Sequence, residues 1–198
     1  QVDRVARKLV DGIALTNTDL ICGLFTGLSG SVGTTTVDLD VDTIYAAQYA
    51  LNNNLVPGPY ACVLYPEQMN NFRESLRAEP GAVQFIAATA EMLVTKGPGF
   101  QGTWNGIEFY QSDSVPTANS GADSAGAMFG RGCFGWTAAN PRVIAPHINS
   151  GDIVFANERV LLELVRDKTN FRSALVAQYY PSWVEVEDVR GVQIISDR

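Results

Sequence analysis

Histidine is almost missing from this chain: His147 is the single one in 198 residues. A histidine-based metal cluster is thereby excluded, and any Ser-His-Asp or Cys-His relay would have to run through that imidazole. Charge is scarce too, at 18% of residues, and it leans acidic. Fourteen Lys and Arg stand against 21 Asp and Glu, for a net charge of −7. A protein that grips nucleic acid tightly needs a dense Lys/Arg footprint, so the acidic balance argues against that class. The three cysteines, Cys22, Cys62 and Cys133, are odd in number, far apart and set among apolar residues, with no CxxC pair. That pattern predicts small buried thiols in a reducing cytosol rather than a disulfide framework. No signal peptide and no run of eighteen apolar residues is visible, so no membrane partner is expected. The chain starts at Gln1 rather than Met, and the expectation is a processed chain or an incomplete copy of a longer one.

What is present is a hydrophobic content of 46%, enough for one large domain or two small lobes. With few charges to solvate the exterior, part of the surface is expected to be covered by other subunits. Val2, Val5, Ala6, Leu9, Val10 and Ile13 recur at helical spacing, with Arg4, Arg7, Lys8 and Asp11 on or beside the wet face. Gly12 weakens this helix by about 1 kcal/mol without ending it. Unbroken to Phe25, the element is roughly 37 Å long at ~1.5 Å per residue. Residues 27–36 read as a loop. A helix follows over Asp42–Leu55 with Asp42 as its N-cap, then a buried strand over Tyr60–Tyr65. Pro66 opens a helix over Glu67–Arg77, where its missing N–H costs nothing. Ala82–Val94 reads as a third helix, Gly97–Gly102 as a loop, Ile107–Tyr110 as a strand and Pro116–Gly126 as a polar flexible loop. Ala127–Trp136 is a glycine-dotted buried strand. Asp152–Arg166 and Arg172–Val186 are two long β-rich runs joined by a turn at Asp167–Phe171, and Val189–Ser196 is a last strand. A hairpin of ~50 Å is costly to leave bare, so the first helix or a neighbouring subunit is expected to cover it.

No reaction centre emerges. Gly27-Leu-Ser29-Gly-Ser31 fails the nucleophile-elbow pattern at its last position. The Gly27, Gly30, Gly33 spacing lacks the Lys-Ser/Thr of a phosphate loop and the G-x-G of a dinucleotide fingerprint. Asp38, Asp40 and Asp42 lack the central Gly and terminal Glu of a calcium loop. Trp104, Trp136 and Trp183 are too dispersed for a stacking platform and read as core or interface anchors. No cofactor and no metal are expected.

Three blocks in order carry more information. They are Leu55-Val-Pro-Gly-Pro-Tyr-Ala-Cys-Val-Leu-Tyr-Pro-Glu-Gln-Met-Asn-Asn-Phe72, Gly102-Thr-Trp-Asn-Gly-Ile-Glu-Phe-Tyr-Gln-Ser-Asp-Ser-Val-Pro116 and Gly126-Ala-Met-Phe-Gly-Arg-Gly-Cys-Phe-Gly-Trp136. From about Asp19 to Asp197 the chain resembles the major capsid proteins of tailed bacteriophages, which share the Hong Kong 97-like (Johnson) fold. The resemblance implies an α+β fold with an axial lobe and a peripheral lobe that carries a long spine helix and a long β-hairpin. It divides the chain as 1–37 peripheral, 38–150 axial, 151–186 peripheral, and 187–198 a strand returning to the axial lobe. It implies a structural protein of the virion, not an enzyme. Such a protein self-assembles in the host cytoplasm into pentamers and hexamers of an icosahedral shell around double-stranded DNA. An acidic wall suits that task, since it repels phosphate and lets packaged DNA move. Scaffold, portal and decoration proteins are the implied partners. Arg4, Arg7, Arg159, Glu163 and Arg166 are the expected edge charges between subunits. Thr117, Asn119, Ser120, Gly121 and Asp123 are the expected loop at the symmetry axis. An N-terminal arm and extended hairpin, usual upstream of the spine helix, have no counterpart in these residues. The alternatives are an encapsulin-like nanocompartment, a small hydrolase centred on His147, and a monomeric ligand-binding α+β domain.

Overall fold

The structure is a computed structural model that describes residues 2–79, 84–141, 143, 152–156, 160–167, 169 and 172–198. In chain order it runs α1 (Val2–Gly23), β1 (Ser31–Gly33), α2 (Val41–Asn53), β2 (Tyr60–Leu64) and α3 (Pro66–Ala78). Then come β3 (Ile86–Ala87), α4 (Ala90–Lys96), β4 (Phe100–Trp104), β5 (Ile107–Gln111), β6 (Thr117–Ala118) and β7 (Asp123–Phe129). The chain ends in β8 (Phe134–Ala139), β9 (Asp152–Ala156), β10 (Val160–Asp167), β11 (Arg172–Glu185) and β12 (Gly191–Asp197). This is an α+β chain with two compact units, Ile21–Gly135 with Glu185–Arg198, and Gln1–Leu20 with Trp136–Val184.

The two units divide after Leu20, Gly135 and Val184. Residues 21–37, expected with the first helix, join the larger unit because β1 pairs in parallel with β12 and Phe25 and Leu28 are buried there. β8 belongs to the smaller unit, where it is hydrogen-bonded to β11. The last strand lies in the larger unit.

The larger unit is built on a sheet of order β1-β12-β7-β2-β5-β4-β3, with β6 beside β7. Side chains alternate across a strand, so neighbouring residues serve opposite faces. Cys62, Leu64, Met128, Val192 and Ile194 enter one core with Ile44, Ala47 and Leu51 of α2 and Met69 and Phe72 of α3. Ala127, with Val63 and Phe129 beside it, enters a second core with Cys22, Phe25, Leu28, Val115 and Cys133. Phe72 and Phe109 stack at 4.9 Å between ring centres, and Trp104 meets Phe72 edge-on at 5.5 Å. Such pairs add about 0.5–1.5 kcal/mol beyond their burial.

Local chemistry sets the element ends. Pro66 does open α3, and Gln68 closes a capping box with Tyr65. The N-cap of α2 is Asp40, whose carboxylate accepts from Thr43 N at 2.8 Å, and not Asp42, which lies inside the first turn. Asn105-Gly106 forms a two-residue turn with positive φ at both positions, pinning Trp104 opposite Ile107. That turn makes residues 100–104 a strand where a loop was expected up to Gly102. The expected helix over 82–94 is, in its described part, a short strand (β3) followed by α4. Its 3.6-residue period is overridden by hydrogen bonding of Ile86–Ala87 to β4. The expected strand over 127–136 is two strands of different sheets, broken at Gly130–Cys133.

In the smaller unit the sheet order is β8-β11-β10-β9, all pairings with β10 antiparallel. The run expected as one long strand over 152–166 is two, β9 and β10, paired with each other across an irregularity at Leu162/Glu163. The expected turn at 167–171 lies largely outside the described residues. α1 is one continuous helix, about 33 Å at ~1.5 Å per residue. Its Asn17 Oδ1 accepts from Trp183 Nε1 at 2.7 Å and from Tyr179 OH at 3.5 Å, so the helix covers part of β11, as a bare strand requires.

Candidate functional site

The described residues carry surfaces rather than a reaction centre. Among them no group of three or more His, Cys, Asp and Glu side chains is placed to hold a metal ion. Burial pushes the Cys62 thiol far up, and burial followed by the negative charges of Glu185 and Asp188 pushes Cys133 up to about 12. A thiol needs a lowered pKa to act as a nucleophile, so these two are core side chains. Ser29, the serine of the failed elbow, is bound through both its N–H (2.8 Å) and its hydroxyl to the carboxylate of Asp188. Those hydrogen bonds hold Asp188 below the usual carboxylate range. His147 lies outside the described residues.

The expected edge charges fall in different places. Arg4 and Arg7 are exposed on α1. Arg159 lies outside the described residues, and Arg166 stands on β10 opposite Ser173. Glu163 is not an exposed edge charge: it is 2% accessible, and its carboxylate accepts from Gln178 Nε2 at 3.0 Å. Strand alternation explains this, because Glu163 shares a strand face with Leu161, also buried.

The expected axis loop divides as well. Thr117, Asn119, Ser120 and Gly121 are exposed at the β6–β7 connection, where the last three have φ of 48°, 58° and 96°. Asp123, in contrast, is fully buried on β7, and its Oδ1 accepts from the Thr36 N–H at 3.0 Å. The small, polar run from Asp123 to Gly126 reads as a loop in sequence but pairs along its length with β12. Gly126 is small for a reason: a Cβ there would lie 2.8 Å from the Val63 carbonyl oxygen and 2.9 Å from Gln68 Oε1.

Two surface features were missed from sequence. One is α1 itself, which with the short 3-10 turn after it gives a helical run, Arg7–Gly27, long and apolar enough to cross a membrane by length and composition and for the most part not buried. Val10 and Leu15 are each 54% exposed on it. A shallow groove of about 400 Å³ runs between Leu9, Ile13 and Thr16 of this helix and Ala177, Tyr179 and Pro181 of β11. The other is α4, none of whose residues is buried. In both cases the helical period was readable, but exposure is a property of what the rest of the chain leaves uncovered.

No protein-family model matches this chain, and no curated protein does. Solved structures do. One from Mycobacterium phage Che8 superposes with a TM-score of 0.65 at 15% identity, covering 98% of this chain and 63% of that one. The holo-SrpI encapsulin complex from Synechococcus elongatus PCC 7942 gives 0.64 at 14% identity, covering 100% and 65%. The capsid structure of the cyanophage P-SCSP1u gives 0.58 at 11% identity, covering 99% and 66%. The chain thus spans a little under two thirds of each of these structures. By superposition over essentially its whole length, the chain has the Hong Kong 97-like capsid fold.

Proposed function

We propose that this chain is a shell-building subunit, a major capsid protein of a tailed bacteriophage. The observation that carries the reading is the superposition of essentially the whole chain on capsid and encapsulin subunits. The exposed apolar side chains of α1 support it, since burying them against a neighbour gains ~25 cal/mol per Å². In this reading identical subunits form pentamers and hexamers of an icosahedral shell enclosing double-stranded DNA, assembled in the host cytoplasm. One sequence then makes slightly different contacts at each kind of axis. The larger unit is the axial lobe and the smaller unit the peripheral lobe. Thr117, Asn119, Ser120 and Gly121 sit near the axis, and Arg4, Arg7, Arg159 and Arg166 supply edge charges. Scaffold, portal and decoration proteins are the further partners, and the role is structural rather than catalytic.

The encapsulin superposition, as good as that on the phage structures, favours a second reading, a nanocompartment around protein cargo. Light scattering with negative-stain imaging of the full-length protein tests both. Closed shells or free five- and six-membered rings are expected, and nucleic acid or protein inside separates the two readings. A stable monomer near 21 kDa overturns both.

A further inference from the structure

Helix α3 separates two surfaces of opposite character in the larger unit. Its buried stripe is Gln68, Met69 and Phe72. At about 100° per residue, Asn71 and Ser75 lie on one flank of that stripe and Arg73 and Arg77 on the other. Asn71 Nδ2 donates to Asp38 at 3.0 Å and Ser75 Oγ accepts from Val41 N at 3.2 Å. The first flank therefore adjoins the start of α2, where Asp38, Asp40 and Asp42 are all exposed beside Val37 (52% accessible). Farther along α2, Tyr49 is 72% accessible.

On the opposite flank, Arg73 donates to Gln101 Oε1 at 2.9 Å, and its guanidinium lies 5.3 Å from the ring centre of Phe85. Arg77 follows one turn later and is exposed. The ion pairs among the described residues are Lys96 with Glu108 and Arg190 with Glu187, so neither arginine is neutralised by them. Arg73 has its pKa lowered, first by partial burial and then by the like charge of Arg77. Phe85 leads directly into Ile86, 59% accessible, and on to α4 with Met92, Leu93 and Val94 exposed, the last to 88%. A seven-residue helix with no buried residue, presenting Met92, Leu93 and Val94 beside Glu91, thus follows a segment edged by two arginines that stand outside the ion pairs among the described residues.

We propose that this ridge of Ile86, Leu93 and Val94, with Arg73 and Arg77 at its rim, docks head to tail on the acidic Asp38–Asp42 flank of a second copy. The inference rests on the shell-forming reading and names the two faces that meet. A two-fold contact centred on the ridge would set arginine against arginine. A head-to-tail contact joins two different patches, so opposite charges meet, and it closes into a ring when the rotation allows. Val37 and Tyr49 give the acidic flank an apolar counterpart for the ridge. Complementary charge of this kind sets register and suppresses wrong pairings.

The test is charge exchange in the full-length protein. Arg77→Glu and Asp42→Lys are each expected to lower the assembled fraction roughly tenfold at fixed concentration, and the double variant to recover most of it. Neither side chain holds a core contact, and an unchanged thermal melt shows that each variant is folded. Val94→Asp is expected to act like the single reversals. If the wild-type chain assembles and both reversals assemble equally well, or if the double is no better than the singles, the pairing is overturned alone. A wild-type chain that never assembles overturns the shell reading and the pairing with it.

Discussion

Gln68 of α3 reaches across the sheet to Ser124 of β7, its Nε2 donating to the Ser124 carbonyl at 3.1 Å. The same nitrogen contacts the Ile194 carbonyl at 3.4 Å and Ser196 Oγ at 2.9 Å, while Oε1 accepts from the Tyr65 N–H at 3.1 Å. One fully buried amide thus fixes α3 to β7 and β12 and caps its own helix. Truncation leaves buried donors and acceptors unmet, at about 1–3 kcal/mol. Gln68→Leu is expected to lower unfolding free energy by that amount in a denaturant titration, whereas Asn70→Ala, two residues on and exposed, changes it by less than about 0.5 kcal/mol.

Asp123 and Ser120 are three positions apart and should respond oppositely. Asp123 is buried and holds the Thr36 turn, so Asp123→Leu is expected to cost about 1–3 kcal/mol. Ser120 is exposed with φ of 58°, so Ser120→Gly relieves the left-handed backbone and is neutral or mildly stabilising. Thermal melts of the two variants check the contrast, and equal effects would refute it.

Tyr110 and Glu108 are joined at 2.9 Å, with Lys96 on the same carboxylate. Partial burial, then the hydrogen bond to Glu108 and its charge, push the Tyr110 phenol up to about 12. A pKa raised by folding means the folded state holds this proton more tightly. The associated stability is complete below the unfolded value of about 10 and is lost as pH rises through 12. Phenolate absorbance should show one late-titrating tyrosine, and Glu108→Gln should bring it earlier.

The thiols of Cys62 and Cys133 are buried with raised pKa. A thiol reagent at neutral pH is expected to label them only at the rate at which the fold opens. Rapid labelling of the native protein at either position would contradict this burial.

Arg166 belongs to β10, where the register with Ser173 is regular. Charge reversal to Glu is expected to impair shell formation while leaving the melt of the isolated subunit unchanged. Normal shells from Arg166→Glu would remove this residue from the subunit edge.

Much of the architecture was legible because local rules decide it. The spacing of Val2 to Ile13 gave a helix, Pro66 marked the start of α3, and the apolar run Tyr60–Leu64 a buried strand. The ordered blocks from Leu55 to Trp136 carried the likeness to capsid subunits. Misreadings concentrate where partners far along the chain decide. Residues 82–94 have a helical period, yet Ile86–Ala87 bonds to β4. Asp123–Gly126 is small and polar, yet it lies between strands whose close approach requires that smallness.

The sequence alone determined the element types with strong period or a fixed φ, the absence of a histidine cluster, and the acidic, weakly charged character. Only the tertiary structure decided that Glu163 and Asp123 are inside, that residues 21–37 belong with the last strand, and that no residue of α4 is buried. The reason is physical: propensity and capping act within a few residues, whereas burial and strand register are fixed by contacts between segments more than a hundred residues apart, such as β1 with β12.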